Sequence, residues 1–202
     1  QNGQLNKAKD ICLEILKEQP NNFDTLYLFG LISFQVRNYK KSADLIYEAI
    51  KIKSDHAELY NFYAIVLIHL KKTNEAIKSW DKAIEIKPDY LEAHYNRGNA
   101  FLELQKLESA IESFDKAIQI NPDYAEAHYN RGNAFLELQK LESAIESYNK
   151  AIQIKPDYAE AYKNNGIVLN KLKKIEDAFQ SYNKAIQIKP DLDYLLGDLF
   201  SV

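Results

Sequence analysis

Apolar residues recur three and four positions apart in the segments AEAHYNRGNAFLEL and LESAIESYNKAIQI, with charged or amide side chains between them. That spacing puts the apolar set on one face of a helix and predicts two amphipathic helices joined by a short turn. No stretch shows the strict alternation of a half-buried strand. The pattern also repeats along the chain. All five prolines, Pro20, Pro88, Pro122, Pro156 and Pro190, fall on one 34-residue lattice that only Ser54 interrupts. Gly30, Gly98, Gly132 and Gly166 keep the same period, with Ala64 in the vacant place. Leu91–Tyr124 and Ala125–Tyr158 differ only at Leu91/Ala125, Phe114/Tyr148, Asp115/Asn149 and Asn121/Lys155. A fixed period of this length implies a stack of helix pairs, each covering its apolar face with its neighbours.

Small residues form columns where helices must approach closely: the glycine series on the first helix, then Ala76, Ala110, Ala144, Ala178 and Ala83, Ala117, Ala151, Ala185 on the second. Large residues fill the space between them, with Trp80, Phe114, Tyr148 and Tyr182 in one column and Leu67, Phe101, Phe135 and Leu169 in another. Four units end in Pro-Asp, and the one at 23–56 carries Ser54-Asp55 in its place. The proline should stop the second helix and the aspartate should cap the next, since Glu92, Glu126 and Glu160 follow three residues after Asp89, Asp123 and Asp157, as Glu58 follows Asp55.

The order small residue, aromatic or leucine, alanine, aromatic, alanine and proline resembles the tetratricopeptide repeat (TPR) motif over nearly the whole chain. The resemblance implies an all-α fold, a right-handed superhelical solenoid of stacked antiparallel helix pairs. Five units are expected, at 23–56, 57–90, 91–124, 125–158 and 159–192. Residues 1–22 supply the second helix of a truncated repeat, with Ala8, Cys12, Ile15 and Pro20 in the matching columns. Residues 193–202 should begin a truncated C-terminal helix or a following domain. Gln105, Gln139 and Lys173 stand where the motif's turn usually carries glycine, which puts the geometry of that turn in question.

By the same resemblance the first helices line an inner groove. Its first two units offer Asp24, Tyr27, Leu28, Leu31 and then Glu58, Asn61, Phe62, Ile65. The later units offer Glu92, Tyr95, Asn96 and Asn99, then Glu126, Tyr129, Asn130 and Asn133, then Glu160, Lys163, Asn164 and Ile167. Asn96, Asn130 and Asn164 form an amide column, and an amide carries donors and an acceptor able to bond a peptide group without reading its side chain. Neighbouring helices sit about 8–10 Å apart and an extended chain advances about 3.3–3.6 Å per residue, so successive asparagines would meet every third ligand residue. The alternative is that the column is solvated surface copied with the rest of the unit. Arg97 and Arg131 fit helix packing better than ligand contact, their stems covering apolar surface. The asparagine column and the AEAHYNRGNAFLEL units resemble the superhelical arm of O-linked N-acetylglucosamine transferases and their bacterial relatives, where such asparagines hold the substrate polypeptide. The tail PDLDYLLGDLFSV is similar to the segment leading from that arm into the catalytic region. The carboxylate-clamp mode of chaperone-binding relatives is not matched, because Tyr95 and Tyr129 stand where lysines are needed.

Composition narrows the function further. A net charge of −3, with Lys and Arg interspersed among Asp and Glu, favours neither nucleic acid nor anionic membrane as partner. No stretch is long and apolar enough to span a bilayer. Cys12 is the only cysteine, which suits a reducing, cytoplasmic compartment, and its core column suggests an inert thiol. His94 and His128 share a column with Tyr60 and Tyr162, so packing explains them better than metal ligation, while His69 lies near the groove end of its helix, within reach of a ligand there. No phosphate loop, nucleophile elbow or metal motif is present, so neither catalytic residues nor a cofactor is expected. The expectation is a scaffold binding a protein or peptide. A structural role, with self-association through the solenoid ends or outer face, is the rival.

Overall fold

The computed structural model describes residues 2–192, all helix and connecting turns; the expectation for residues 193–202 lies outside them. After α1 (Asn2–Glu18) come five helix pairs: α2 (Phe23–Gln35) and α3 (Tyr39–Ile52), α4 (Ala57–His69) and α5 (Thr73–Ile86), α6 (Leu91–Glu103) and α7 (Leu107–Ile120), α8 (Ala125–Glu137) and α9 (Leu141–Ile154), α10 (Ala159–Lys171) and α11 (Ile175–Ile188). The chain divides into two compact units, residues 1–93 and 94–202. In the first, α1 to α5 pack in chain order; in the second, α7 to α11 do the same.

Four of the five pairs close on a small-to-large contact at a glycine. A Cβ added at Gly98, Gly132 or Gly166 would lie about 2.5–2.6 Å from the ring of Phe114, Tyr148 or Tyr182, so the absence of a side chain is what lets each ring lie against its first helix. At Gly30 the facing group is Ile46. The five turns between paired helices share one backbone solution. Arg37, Lys71, Gln105, Gln139 and Lys173 all take positive φ, from 57 to 62°. Around Gln139, Lys140 N–H donates to Phe135 O (2.9 Å) and Gln139 N–H to Leu136 O (3.0 Å), the paired bonds of a Schellman ending. The glycine is missing from these turns and the geometry is kept, because those two bonds outweigh a left-handed strain of about 1–2 kcal/mol per residue.

The capping expectation is corrected. The residues at the N-cap of α4, α8 and α10 are His56, Tyr124 and Tyr158, none with a side-chain cap bond. Pro-Asp instead forms the centre of a β-turn, with Tyr124 N–H donating to Asn121 O (3.2 Å) and Tyr158 N–H to Lys155 O (3.1 Å). The aspartate is thus spent one residue too early to cap. Glu126 and Glu160 pair instead with Lys155 (3.4 Å) and Lys189 (3.6 Å), at the C-terminal ends of the second helices of their own repeats.

Successive repeats meet through matched side chains. Tyr47 of α3 lies against Tyr63 of α4, ring centroids 6.0 Å apart. At the same two repeat positions Asp115 of α7 pairs with Arg131 of α8 (2.7 Å), and Asn149 of α9 accepts a bond from Asn165 of α10 (3.0 Å). The Asp115/Asn149 difference between the near-duplicate repeats is therefore answered by Arg131/Asn165 in the repeats that follow. Arg131 Nε also donates to Ser147 Oγ (3.1 Å) and its guanidinium lies 5.9 Å from the Phe135 ring centre, a helix-packing role.

Candidate functional site

In the first unit, helices α2 and α4 bring an aromatic group together. Phe62 meets Tyr27 and Phe34 edge-on, at centroid separations of 6.3 and 5.3 Å. His69 stacks on Tyr39 at 4.5 Å and lies edge-on to Phe34 at 5.1 Å. Phe34 and Tyr39 were missed by the groove assignment. Their signal was aromatic character at the end of one helix and the start of the next. Leu28, on the same helix as Tyr27, is half exposed. Asn61, by contrast, is committed inside the protein: its Oδ1 accepts from Trp80 Nε1 (2.9 Å) and its Nδ2 donates to Tyr90 Oη (3.2 Å).

In the second unit the amide column is held by bonds between repeats. Asn130 Nδ2 donates to Asn99 Oδ1 (2.8 Å) and to Tyr95 Oη (3.2 Å). One repeat later Asn164 Nδ2 donates to Asn133 Oδ1 (2.9 Å) and to Tyr129 Oη (3.1 Å). Tyr148 Oη donates to the same Asn133 oxygen (2.9 Å), a bond with no counterpart at Phe114, which lacks the hydroxyl. Both N–H donors of Asn130 and of Asn164 are thereby used, so what each amide has left for a ligand is its carbonyl oxygen. Tyr95 and Tyr129 are framed by Tyr124 and Tyr158, with centroids 4.7 and 4.9 Å apart. Burial pushes the Tyr129, Tyr148 and Tyr158 phenols up from their ordinary value, so all three keep their protons. Asn96 on α6 and Lys163 on α10 are half-buried.

His128 is buried and its Nε2 bonds Pro122 O at 2.9 Å. Burial is the main cause that holds its pKa below the usual histidine value. Among the described residues no group of three or more His, Cys, Asp or Glu side chains could hold a metal ion, and no helix is long and apolar enough to cross a membrane. Cys12 is buried, which raises its thiol pKa.

Comparison with known families places matches to the model described as TPR repeat at residues 66–105, 98–139 and 132–173, and to tetratricopeptide repeat at 159–192. The chain belongs to the tetratricopeptide repeat family. Solved TPR structures share its fold. MamA superposes with a TM-score of 0.78 at 23% identity, covering 80% of this chain and 95% of MamA. YrrB, a TPR protein with an unusual peptide-binding site, superposes with a TM-score of 0.78 at 20% identity, covering 93% and 96%. PilF from Pseudomonas aeruginosa gives 0.71 at 19% identity, covering 87% and 85%. No curated protein sequence matches the chain.

Proposed function

We propose that this TPR chain is a protein-interaction scaffold that holds an extended polypeptide along its first helices. In the second unit Asn96, Asn130 and Asn164 offer amide oxygens to ligand backbone N–H groups; in the first unit the Tyr27, Phe34 and Phe62 cluster is a separate apolar contact surface. The observation that carries this reading is the bonding of Asn130 and Asn164. An amide fixed from two sides presents its oxygen without losing rotamer freedom on binding, a loss that otherwise costs about 0.5–1.5 kcal/mol per side chain. Tyr95, Tyr129, Asn99 and Asn133 act as the positioning groups, and Lys163 extends the line as a cation. The peptide-binding site of YrrB lends the reading support.

The test is binding to a peptide array by the full chain and by an Asn96→Ala, Asn130→Ala, Asn164→Ala variant. Loss of binding is expected, and unchanged affinity would remove the amide column from the function. A Tyr95→Phe, Tyr129→Phe variant loosens the same bonds without removing the asparagine oxygens, so it separates lost ligand contact from disturbed stacking. A finer reading is that the scaffold is the substrate-recognition arm of a protein glycosyltransferase, supported by the asparagine column and the AEAHYNRGNAFLEL units. A nucleotide-sugar-binding region in the same polypeptide would support it, and a full-length protein without one would end it.

A second reading, association through the α1 end, is favoured by Ile11 and Ile15. They are 48% and 37% exposed, whereas Leu45 and Ala49 in the same columns are 5% and 0% exposed. Light scattering should then show mass rising with concentration; a strict monomer would exclude it.

A further inference from the structure

The first unit contains a cavity of about 330 Å³ between α1 and the α2–α3 turn, walled by Leu5, Leu13, Phe29 and Ile32. Its origin is a double shortfall against the chain's own repeats. Ser33 lies in the cavity wall and occupies the column filled elsewhere by Leu67, Phe101, Phe135 and Leu169. Lys9, also in the wall, occupies the second-helix column that holds Ala43 in the next repeat and Ile77, Ile111, Ile145 and Phe179 in those after it. In the repeat at 125–158 the corresponding region carries the Phe135 ring with the Arg131 guanidinium over it. Here there is a buried serine hydroxymethyl and a lysine whose charged end seeks water. Val36, at the mouth, is 52% exposed, while Leu70, Leu104, Leu138 and Leu172 at the same repeat position are all partly buried.

The volume falls at the lower end of the roughly 300–1,000 Å³ typical of small-ligand sites. The charged side chains lining it are Lys9 and Lys41, both cationic. Lys41 Nζ lies 5.6 Å from the centre of the Phe29 ring, which joins the cation to the apolar wall. We propose that this cavity is a binding site for a small amphipathic carboxylate, its aliphatic or aryl tail among Leu5, Leu13, Phe29 and Ile32 and its carboxylate toward Lys9 and Lys41. The site is separate from the amide column and does not depend on peptide binding.

Calorimetric titration of the full chain with octanoate, and with 1-octanol as the uncharged probe, tests the assignment. Octanoate should bind saturably with one site per chain and at least fivefold tighter than octanol. Ser33→Phe, which installs the residue found at 101 and 135, should weaken octanoate at least tenfold and raise the thermal midpoint. Lys41→Gln should remove the preference for the carboxylate. If Ser33→Phe fails to fold by circular dichroism, Lys9→Ile fills the same space from the other wall and decides the matter with the same tenfold criterion. Non-saturable uptake, equal affinity of the wild type for octanoate and octanol, or octanoate binding unchanged by the filling substitution would each overturn the proposal.

Discussion

Gly132→Ala should destabilise the protein even though alanine is the better helix former. Replacing a mid-helix glycine by alanine ordinarily gains about 1 kcal/mol. At this position the new methyl would stand 2.6 Å from Tyr148 Cε1 and 2.8 Å from Cδ1, well inside contact distance. The ring has nowhere to go. Tyr148 is fully buried, and its hydroxyl is tied to Asn133 at 2.9 Å. Overpacking a filled core costs about 1–3 kcal/mol, and pulling the hydroxyl off its acceptor costs about 1 kcal/mol more. The balance is a net loss of roughly 1–3 kcal/mol, which for a chain of this size lowers the midpoint by roughly 2–12 °C. The comparison is Gly30→Ala, where the new methyl would stand 2.5 Å from Ile46 Cδ1 and 2.8 Å from Cγ1, an equally buried side chain but one with no ring and no hydroxyl to pull off an acceptor, so the loss should be smaller. Urea and thermal unfolding followed by circular dichroism would measure both, with amide exchange reporting on α8 and α9, because repeat arrays need not unfold in one step. A Gly132→Ala variant as stable as wild type, or a Gly30→Ala variant harmed equally, would refute the close-approach argument.

Replacing Gln105, Gln139 and Lys173 by glycine together should raise the unfolding midpoint, because relief of about 1–2 kcal/mol of left-handed strain per site exceeds the roughly 0.4–1 kcal/mol lost through a freer unfolded chain; a lower midpoint in urea would contradict it. Phe114→Tyr should change stability by less than about 1 kcal/mol, since the sister repeat seats Tyr148 in near-identical surroundings and Asn99 offers the matching acceptor; severe unfolding would show that the two repeats are not equivalent. Because burial lowers the His128 pKa, the unfolded chain binds that proton more readily. The contribution of His128 is therefore full above the ordinary value of 6.5 and falls as pH drops through 6.5 toward the folded pKa. His128→Tyr, copying Tyr60 and Tyr162, should flatten this part of the curve of stability against pH, and an unchanged slope would locate the sensitivity elsewhere.

The period, the helix pairs and the glycine-ring columns could be read from residue order because each depends on spacing within one repeat. Gly132 and Tyr148 are sixteen residues apart on adjoining helices, and size complementarity alone names them as partners. The amide bonds were hidden for the opposite reason. Asn130 reaches partners 31 and 35 residues away, a relation set by how one repeat sits on the next, so spacing could suggest an inward direction without revealing that the nitrogens were already engaged. The capping misreading came from two devices with one residue signature. Pro-Asp before a helix suits a cap and a β-turn alike, and the backbone bond from Tyr158 to Lys155 chooses the turn. The glycine-free turns held for a reason that side-chain identity does not report, the paired backbone bonds that close each first helix.

Each rung of the amide column takes its nitrogen from one repeat and its oxygens from the repeat before it, so a single unit carries the receiving half on one side and the giving half on the other. Copying such a unit into the array would leave no rung open at either junction. A chain with this chemistry can lengthen by whole repeats with every amide rung complete, and the near-identity of 91–124 and 125–158 fits growth of that kind.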